Sequence, residues 1–282
     1  MRALYIIKIG GNVIDDPLNL ERFLKDFSEL DGYKILIHGG GKIATKLSED
    51  LGISSQLVEG RRITDHESLK VVTMVYAGLI NKNIVAQLQG RNCNAIGLTG
   101  ADGNMIRAKK RPLKKALSFG EPACAGTDGD LGEIIDFGFV GDLDENSVDS
   151  EAIHKLLQSG FIPVFSAITH DGKGQLLNTN ADTIASVIAV SMAKLYATSL
   201  VYCFEKKGVL TDVQDEDSVI TTIDFENYKE LKHNGVISDG MIPKLDNAFE
   251  AIMKGLKEVC IGKADALPLL KKQTFGTRLI IK

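Results

Sequence analysis

The apolar positions of this chain fall into short blocks that stop abruptly at glycines. Residues 4–9 are apolar apart from Lys8 and run into Gly10-Gly11, and residues 34–38 run into Gly39-Gly40-Gly41. Short β-branched runs of this kind read as strands of a parallel sheet, buried on both faces. Between them Leu20, Phe23, Leu24, Phe27 and Leu30 recur at helical spacing, with Asn19 as the expected N-cap and Asp31-Gly32 as the stop. A second helix is expected over 42–51, closed by Gly52. Strand, glycines and helix twice in succession form a βαβα opening, which argues for an α/β fold with an open, mostly parallel central sheet.

Farther along, residues 66–89 carry apolar side chains at Val71, Val72, Val75, Leu79, Ile80, Ile84 and Leu88, too many for one narrow stripe. Either the helix is deeply packed, or a second face meets another subunit. Strands are expected at 95–98, 162–166, 200–204, 259–261 and 279–281. Helices are expected after Asp149 or Ser150, through Ile184, Val187, Ile188, Met192 and Leu195, and through Leu245 to Leu256. Residues 105–148 alternate short apolar pieces with turns, and Gly120-Glu121-Pro122 and Gly126-Thr127-Asp128-Gly129 read as hairpin or flap. No repeat or linker interrupts the chain. One sheet with two lobes is expected, residues 1–174 and 175–282.

A chain of 282 residues is long enough for a large core. Its net charge of −4 favours neither nucleic acid nor an anionic membrane surface. The first strand begins at once and no 18-residue apolar run stands out, so neither a signal peptide nor a transmembrane helix is expected. Cys93, Cys124, Cys203 and Cys260 are far apart and read as reduced thiols of a cytoplasmic protein. The five histidines lack zinc-site spacing, so no protein-held metal is expected.

Four polar clusters sit where elements end: Lys8 with Gly10-Gly11, the triplet Gly39-Gly40-Gly41, Asn178, Asn180 and Asp182, and residues Asp239 to Lys244. Singly, each reads as turn or cap chemistry. Together they offer two helix N-termini with free N–H groups, after Gly41 and near Lys244, and the two ammonium groups of Lys8 and Lys244. Asp182 is an acid able to hold both lysines. A lysine inside a buried strand is costly unless something negative meets it. The set suits a dispersed negative charge such as a phosphoryl group in transfer. The G-x-x-x-x-G-K-[ST] loop, G-x-G-x-x-G and G-x-S-x-G are all absent. His38, beside the glycines, reads as shaping its loop rather than as an acid or base.

Lys8-Ile9-Gly10-Gly11, His38-Gly39-Gly40-Gly41, Arg61-Arg62-Ile63-Thr64, Asn178-Thr179-Asn180-Ala181-Asp182, Asp239-Gly240-Met241-Ile242-Pro243-Lys244 and Gly276-Thr277-Arg278 resemble, in order and over the whole chain, the N-acetylglutamate kinases of the amino-acid kinase superfamily. The resemblance implies an αβα sandwich whose first lobe binds the acylated amino acid and dimerises, while the second binds ATP. It also implies transfer of the γ-phosphoryl group to the side-chain carboxylate of an N-acylglutamate in arginine biosynthesis, with Mg2+ on the ATP phosphates. By position, Lys8 and Lys244 would stabilise the phosphoryl group, Asp182 would orient them, and Gly10, Gly11, Gly39 and Gly40 would cradle its oxygens. Gly40, Gly41, Arg62 and Asn178 would hold the amino acid, and Lys8, Gly208, Asp239, Met241 and Lys244 the nucleotide. Glu205-Lys206-Lys207-Gly208 departs from the Asp-Val pair usual in relatives near the nucleotide. Arginine-inhibited relatives carry an extra N-terminal helix, so an arginine-insensitive homodimer is expected, with 66–89 as its face. Acetyl is the default acyl group. N-succinylglutamate, N-acetylaminoadipate and a non-catalytic sensor are the alternatives.

Overall fold

The computed structural model describes residues 1–54, 56–58, 61–115, 134–237 and 241–281. Among them, eight strands form one sheet. They are β1 (Ala3–Ile9), β2 (Tyr33–His38), β3 (Ala95–Leu98), β4 (Ile162–Ser166), β5 (Ala197–Phe204), β6 (Thr222–Asp224), β7 (Glu258–Lys263) and β8 (Thr277–Ile280). Their spatial order is β6-β8-β7-β5-β1-β2-β4-β3. Every pairing is parallel except β7 with β8, which is antiparallel. The open, mostly parallel sheet expected from the glycine-terminated runs is therefore present. β1 pairs with β2 on one side and β5 on the other, so the two halves of the chain share one sheet.

Helices cover both faces, which is why the strands are apolar almost throughout. They are α1 (Gly11–Asp15), α2 (Pro17–Ser28), α3 (Gly41–Asp50), α4 (His66–Gln89), α5 (Ser150–Gln158), α6 (Ala181–Met192), α7 (Phe225–His233) and α8 (Ile242–Met253). α6 packs on β1, β5 and α8, and α2 packs on α4 and on the 3-10 turn Ala264–Lys272. From Ile6 onward every residue of β1 is buried, Lys8 included. A smaller sheet of Ile168–His170, Leu176–Thr179, Val140–Asp142 and Lys109–Lys110 continues the chain from β4 and leads directly into α6.

Some local expectations need correction. The N-cap of α2 is Asp16, not Asn19: its carboxylate accepts from the N–H groups of Leu18 and Asn19, and Pro17 takes the first helical position where its missing N–H costs nothing. β6 and α7 went unread because a three-residue strand and a mostly polar helix carry weak periodicity. α4 is long and apolar enough to cross a membrane by length and composition, with a mean hydropathy of 1.2 over its best stretch, contrary to the expectation that no such run exists. Its inner residues Val71, Val72, Val75, Ile80, Ile84 and Leu88 are buried in the protein core, which accounts for part of its apolarity, while Met74 and Leu79 are exposed. The proposed flap at 120–129 lies outside the described residues.

The middle of α4 is a π-helical stretch, Thr73–Ile80, the kind of widened turn that recurs at functional sites. Its Tyr76 and Ile80 press on Gly40, where a Cβ would stand 2.2 Å from Ile80 Cδ1 and the backbone has φ +153°. Only glycine is compatible with both constraints. The next residue, Asn81, is buried and donates from Nδ2 to His38 Nε2 (3.0 Å) and to the Val164 carbonyl (2.9 Å). His38 Nδ1 in turn donates to the Gly39 carbonyl at 2.9 Å. Both ring nitrogens of a neutral imidazole are thus used to fix the start of the glycine loop. This matches the loop-shaping reading of His38.

Burial pushes the His38 pKa down from 6.5 to about 4, the carbonyl of Gly39 opposing and Lys82 assisting. The folded protein keeps the ring neutral in the range where the unfolded chain would charge it, so its contribution is complete above pH 6.5 and drains as pH falls toward 4. His38→Gln is expected to remove up to about 3 kcal/mol of the stability lost between those limits. Denaturant titration of both proteins at neutral and acid pH checks this, and an unchanged acid limb contradicts it.

Candidate active site

The strand register brings the polar clusters together. Lys8 pairs with Ile37 on β2 and Tyr202 on β5, and Ile9 with His38 and Cys203. The segments after β1, β2 and β5 therefore leave the sheet side by side at its carboxyl edge, where parallel α/β folds place ligands. The Gly10 N–H donates to the Cys203 carbonyl at 3.2 Å, fixing the first turn against β5.

Two buried lysines contrast here. Lys34 donates to the carbonyls of Phe27, Ser28 and Leu30 at the end of α2 and so completes that helix. Lys8, 8% exposed, instead meets Asp182 Oδ1 at 2.8 Å, a close ion pair rather than an aligned hydrogen bond. Asp182 sits in the first turn of α6, where the helix dipole also favours a negative charge. Lys244 occupies the first turn of α8, where the dipole disfavours a cation. Among the described residues it has no ion-pair partner. Its Nζ lies 4.3 Å from the Phe204 ring centroid, and Lys8 Nζ lies 5.3 Å from the same centroid.

The helix ends fall into two groups. α2, α4, α5 and α7 begin with an aspartate whose carboxylate accepts first-turn N–H groups, and α6 uses Asn180 the same way. α3, α8 and the short α1 have neither a side-chain cap nor an acid in the first turn. At α3 the free N–H groups and the positive dipole end are left for an anion. At α8 Pro243 has no N–H and the Lys244 N–H donates to the Met241 carbonyl at 3.0 Å, so that helix start offers chiefly its dipole and the Lys244 ammonium. Gly10, Gly11, Gly39 and Gly41 add to this. A Cβ at any of them would meet nothing closer than 3.6 Å. Packing does not demand glycine at these four, so bare backbone there leaves room for close approach by a ligand.

Two cavities meet at this point. The larger, about 450 Å³, is lined by Asp182, Tyr202, Phe204, Lys244, Asn247 and Lys254 among others. The smaller, about 260 Å³, is lined by Gly39, Gly40, Gly41, Arg62, Arg111 and Asn178 among others. Leu143, Asn180 and Thr183 belong to both, so the N-terminus of α6 is their shared wall. Arg62 is buried and donates to the Gly41 carbonyl at 3.2 Å and to Thr45 Oγ1 at 2.6 Å, which ties it to the start of α3. Asn178 Nδ2 donates to Thr64 Oγ1 at 3.0 Å. Two adjoining cavities, one with Lys244 and Lys254 and the other with Arg62 and Arg111 in its lining, suit transfer of an anionic group between two bound molecules.

The structure thus gathers Lys8, Lys244, Asp182, Gly10, Gly11, Gly39, Gly40, Gly41, Arg62 and Asn178 around one edge. Lys8, Gly10, Gly11, Gly208 and Met241 are not among the residues lining either cavity, though Lys8 is tied to the larger one through Asp182. At Gly208 a Cβ would stand 2.6 Å from Thr277 Oγ1, so close packing explains that glycine. Met241 is the N-cap residue of α8. Asp239 lies outside the described residues. In the departing segment, Lys206 and Lys207 pair with Glu216 and Asp217 at 3.4 and 2.6 Å. Phe204, Tyr76 and the Arg111–Asp142 pair were not singled out in the sequence. The aromatics look like core residues there, and an arginine pair 31 positions apart has no local pattern.

The model of the amino acid kinase family matches residues 3–263 of the chain. An acetylglutamate kinase of Cytophaga hutchinsonii is 54% identical over 282 residues, covering 99% of each chain. One from Methanopyrus kandleri is 36% identical over 93% of this chain and 96% of its own. Among solved structures, N-acetylglutamate synthase of Neisseria gonorrhoeae matches with a TM-score of 0.75 at 20% identity, over 100% of this chain and 60% of that one. Giardia carbamate kinase matches with a TM-score of 0.67 at 15% identity, over 100% and 99%. At such identities these two show the shared fold. The chain belongs to the amino acid kinase family, alongside the acetylglutamate kinases.

Proposed function

We propose that the protein transfers the γ-phosphoryl group of ATP to the side-chain carboxylate of N-acetyl-L-glutamate, giving an acyl phosphate in arginine biosynthesis. The observation that carries this reading is the meeting of two cavities at the start of α6, one lined by Lys244 and by Asp182, the partner of Lys8, the other by Arg62 and the uncapped start of α3. Relatives named acetylglutamate kinase, 54% and 51% identical over nearly the whole chain, support the substrate.

A glutamate-type carboxyl has a pKa of about 4.3 and is already a nucleophile at neutral pH, so no general base is needed. The barrier lies in bringing an anion in line with a polyanion. In this reading the smaller cavity, in the N-terminal lobe, holds the amino acid through Arg62, Asn178, Gly40 and Gly41. The larger, in the C-terminal lobe, holds ATP, with Lys244 in its lining. Lys8 and Lys244 offset charge on the transferring group, and Asp182 orients Lys8. The N–H groups of Gly11, Gly39 and Gly40 donate to its oxygens, while that of Gly10, committed to the Cys203 carbonyl, shapes the turn. Among the described residues no cluster of three His, Cys, Asp or Glu side chains is placed to hold a metal ion. In this reading Mg2+ is carried on the nucleotide phosphates, where it would supply added positive charge.

The exposed Met74 and Leu79 on the outer face of α4 support a homodimer formed there. Cys93, Cys203 and Cys260 are free and buried, in keeping with the cytoplasm.

Lys8→Ala and Lys244→Ala are each expected to lower kcat by about 100-fold or more while thermal unfolding stays cooperative. Steady-state kinetics with Mg-ATP and N-acetylglutamate checks this, and near-normal turnover in both variants refutes the assignment. Arg62→Ala is expected to raise KM for the amino acid by about tenfold or more, through loss of a bidentate carboxylate partner. An effect confined to KM for ATP contradicts that role.

A further inference from the structure

The two ammonium groups at the site are held differently. Lys8 has the carboxylate of Asp182 at 2.8 Å. Lys244 has no ion-pair partner among the described residues, although it sits at the positive end of α8. What the two share is the ring of Phe204, with centroid distances of 5.3 Å to Lys8 Nζ and 4.3 Å to Lys244 Nζ. The ring is backed by Tyr202, stacked on it at 5.8 Å with an interplanar angle of 14°. Tyr202 is itself buried in β5, and its hydroxyl reaches the Asp182 carbonyl at 3.4 Å. Phe204 is the last residue of β5, so its position is fixed by the sheet at the edge where Lys8 leaves β1.

We infer that Phe204 is a positioning residue for phosphoryl transfer, its ring serving as one uncharged platform for both Lys8 and Lys244. The inference rests on the kinase reading of this site. The physical reason for an aromatic here is that a π face attracts a cation without neutralising it. A second carboxylate would hold Lys244 equally well but would cancel charge needed by the phosphoryl group. With Asp182 on Lys8 alone and Phe204 under both, one negative charge stands against two lysines, and Lys8, Lys244 and Asp182 together stay net positive. The same ring lines the larger cavity, so its placement ties the lysine geometry to the nucleotide side of the partition.

The test replaces Phe204 with phenylalanines carrying one, two and three ring fluorines, which keep the shape and progressively weaken the π face. Phe204→Leu and Phe204→Tyr are made beside them. We expect kcat to fall stepwise with fluorination and by about tenfold in Phe204→Leu, with KM for N-acetylglutamate little changed and Phe204→Tyr close to the parent. Binding of ADP in each variant reports that the nucleotide side is intact. A kcat independent of fluorine number, or equal losses in the Leu and Tyr variants, overturns the inference and leaves Phe204 as packing. Because Lys8→Ala and Lys244→Ala are assayed separately, a failure confined to the Phe204 series leaves the kinase reading standing, and normal turnover in the lysine variants removes the reading itself.

Discussion

An ammonium group buried in a strand must be met by negative charge, and that constraint governs the arrangement at the carboxyl edge of this sheet. Lys8 stands among apolar residues of the central strand, where an unpaired charge would cost several kcal/mol. Asp182 meets it at 2.8 Å from the first turn of α6, whose start Asn180 caps. The start of α6 in turn forms the wall common to both cavities. A second cation, Lys244, stands in the first turn of α8 against the local dipole. Lys244 is exposed and has no ion-pair partner among the described residues, so its charge is available to an anion that would also offset the unfavourable dipole. Proteins commonly sacrifice local stability in this way at functional sites.

The fold supplies the geometry that this electrostatic arrangement needs. Parallel pairing of β1 with both β2 and β5 aligns three strand ends, so the glycine turns and Phe204 emerge together. The π-helical stretch of α4 closes on Gly40, and Asn81 locks His38 beneath the loop. These contacts make the glycine loop a rigid feature of the core. Its N–H groups can therefore receive charge without the cost of ordering a mobile segment.

Much of this was legible in the sequence, for reasons that can be named. Lys8 and the glycines break the apolar pattern of their strands, and Asp182 and Lys244 sit at helix starts. The βαβα opening follows from periodicity alone. What escaped depends on distance in sequence. Phe204 reads as one more apolar residue ending a strand, and only the fold reveals two lysines over its ring. Arg111 finds Asp142 through a small sheet that the pattern of 105–148 does not announce. The antiparallel return of β8 leaves no mark in its own residues, and the π-helical widening of α4 has no periodic signature in a helix apolar on most sides. The Asp16 cap was missed because the apolar recurrence begins at Leu20, one turn after the helix does.

The central claim is that this edge of the sheet moves a phosphoryl group onto a carboxylate, and trapping the product tests it most directly. Purified protein incubated with Mg-ATP, hydroxylamine and N-acetylglutamate is expected to accumulate the hydroxamate of the side-chain carboxyl. Free glutamate, which lacks the acyl group, is expected to give little. The absence of hydroxamate from N-acetylglutamate, in protein that is folded and binds ATP, would contradict the account.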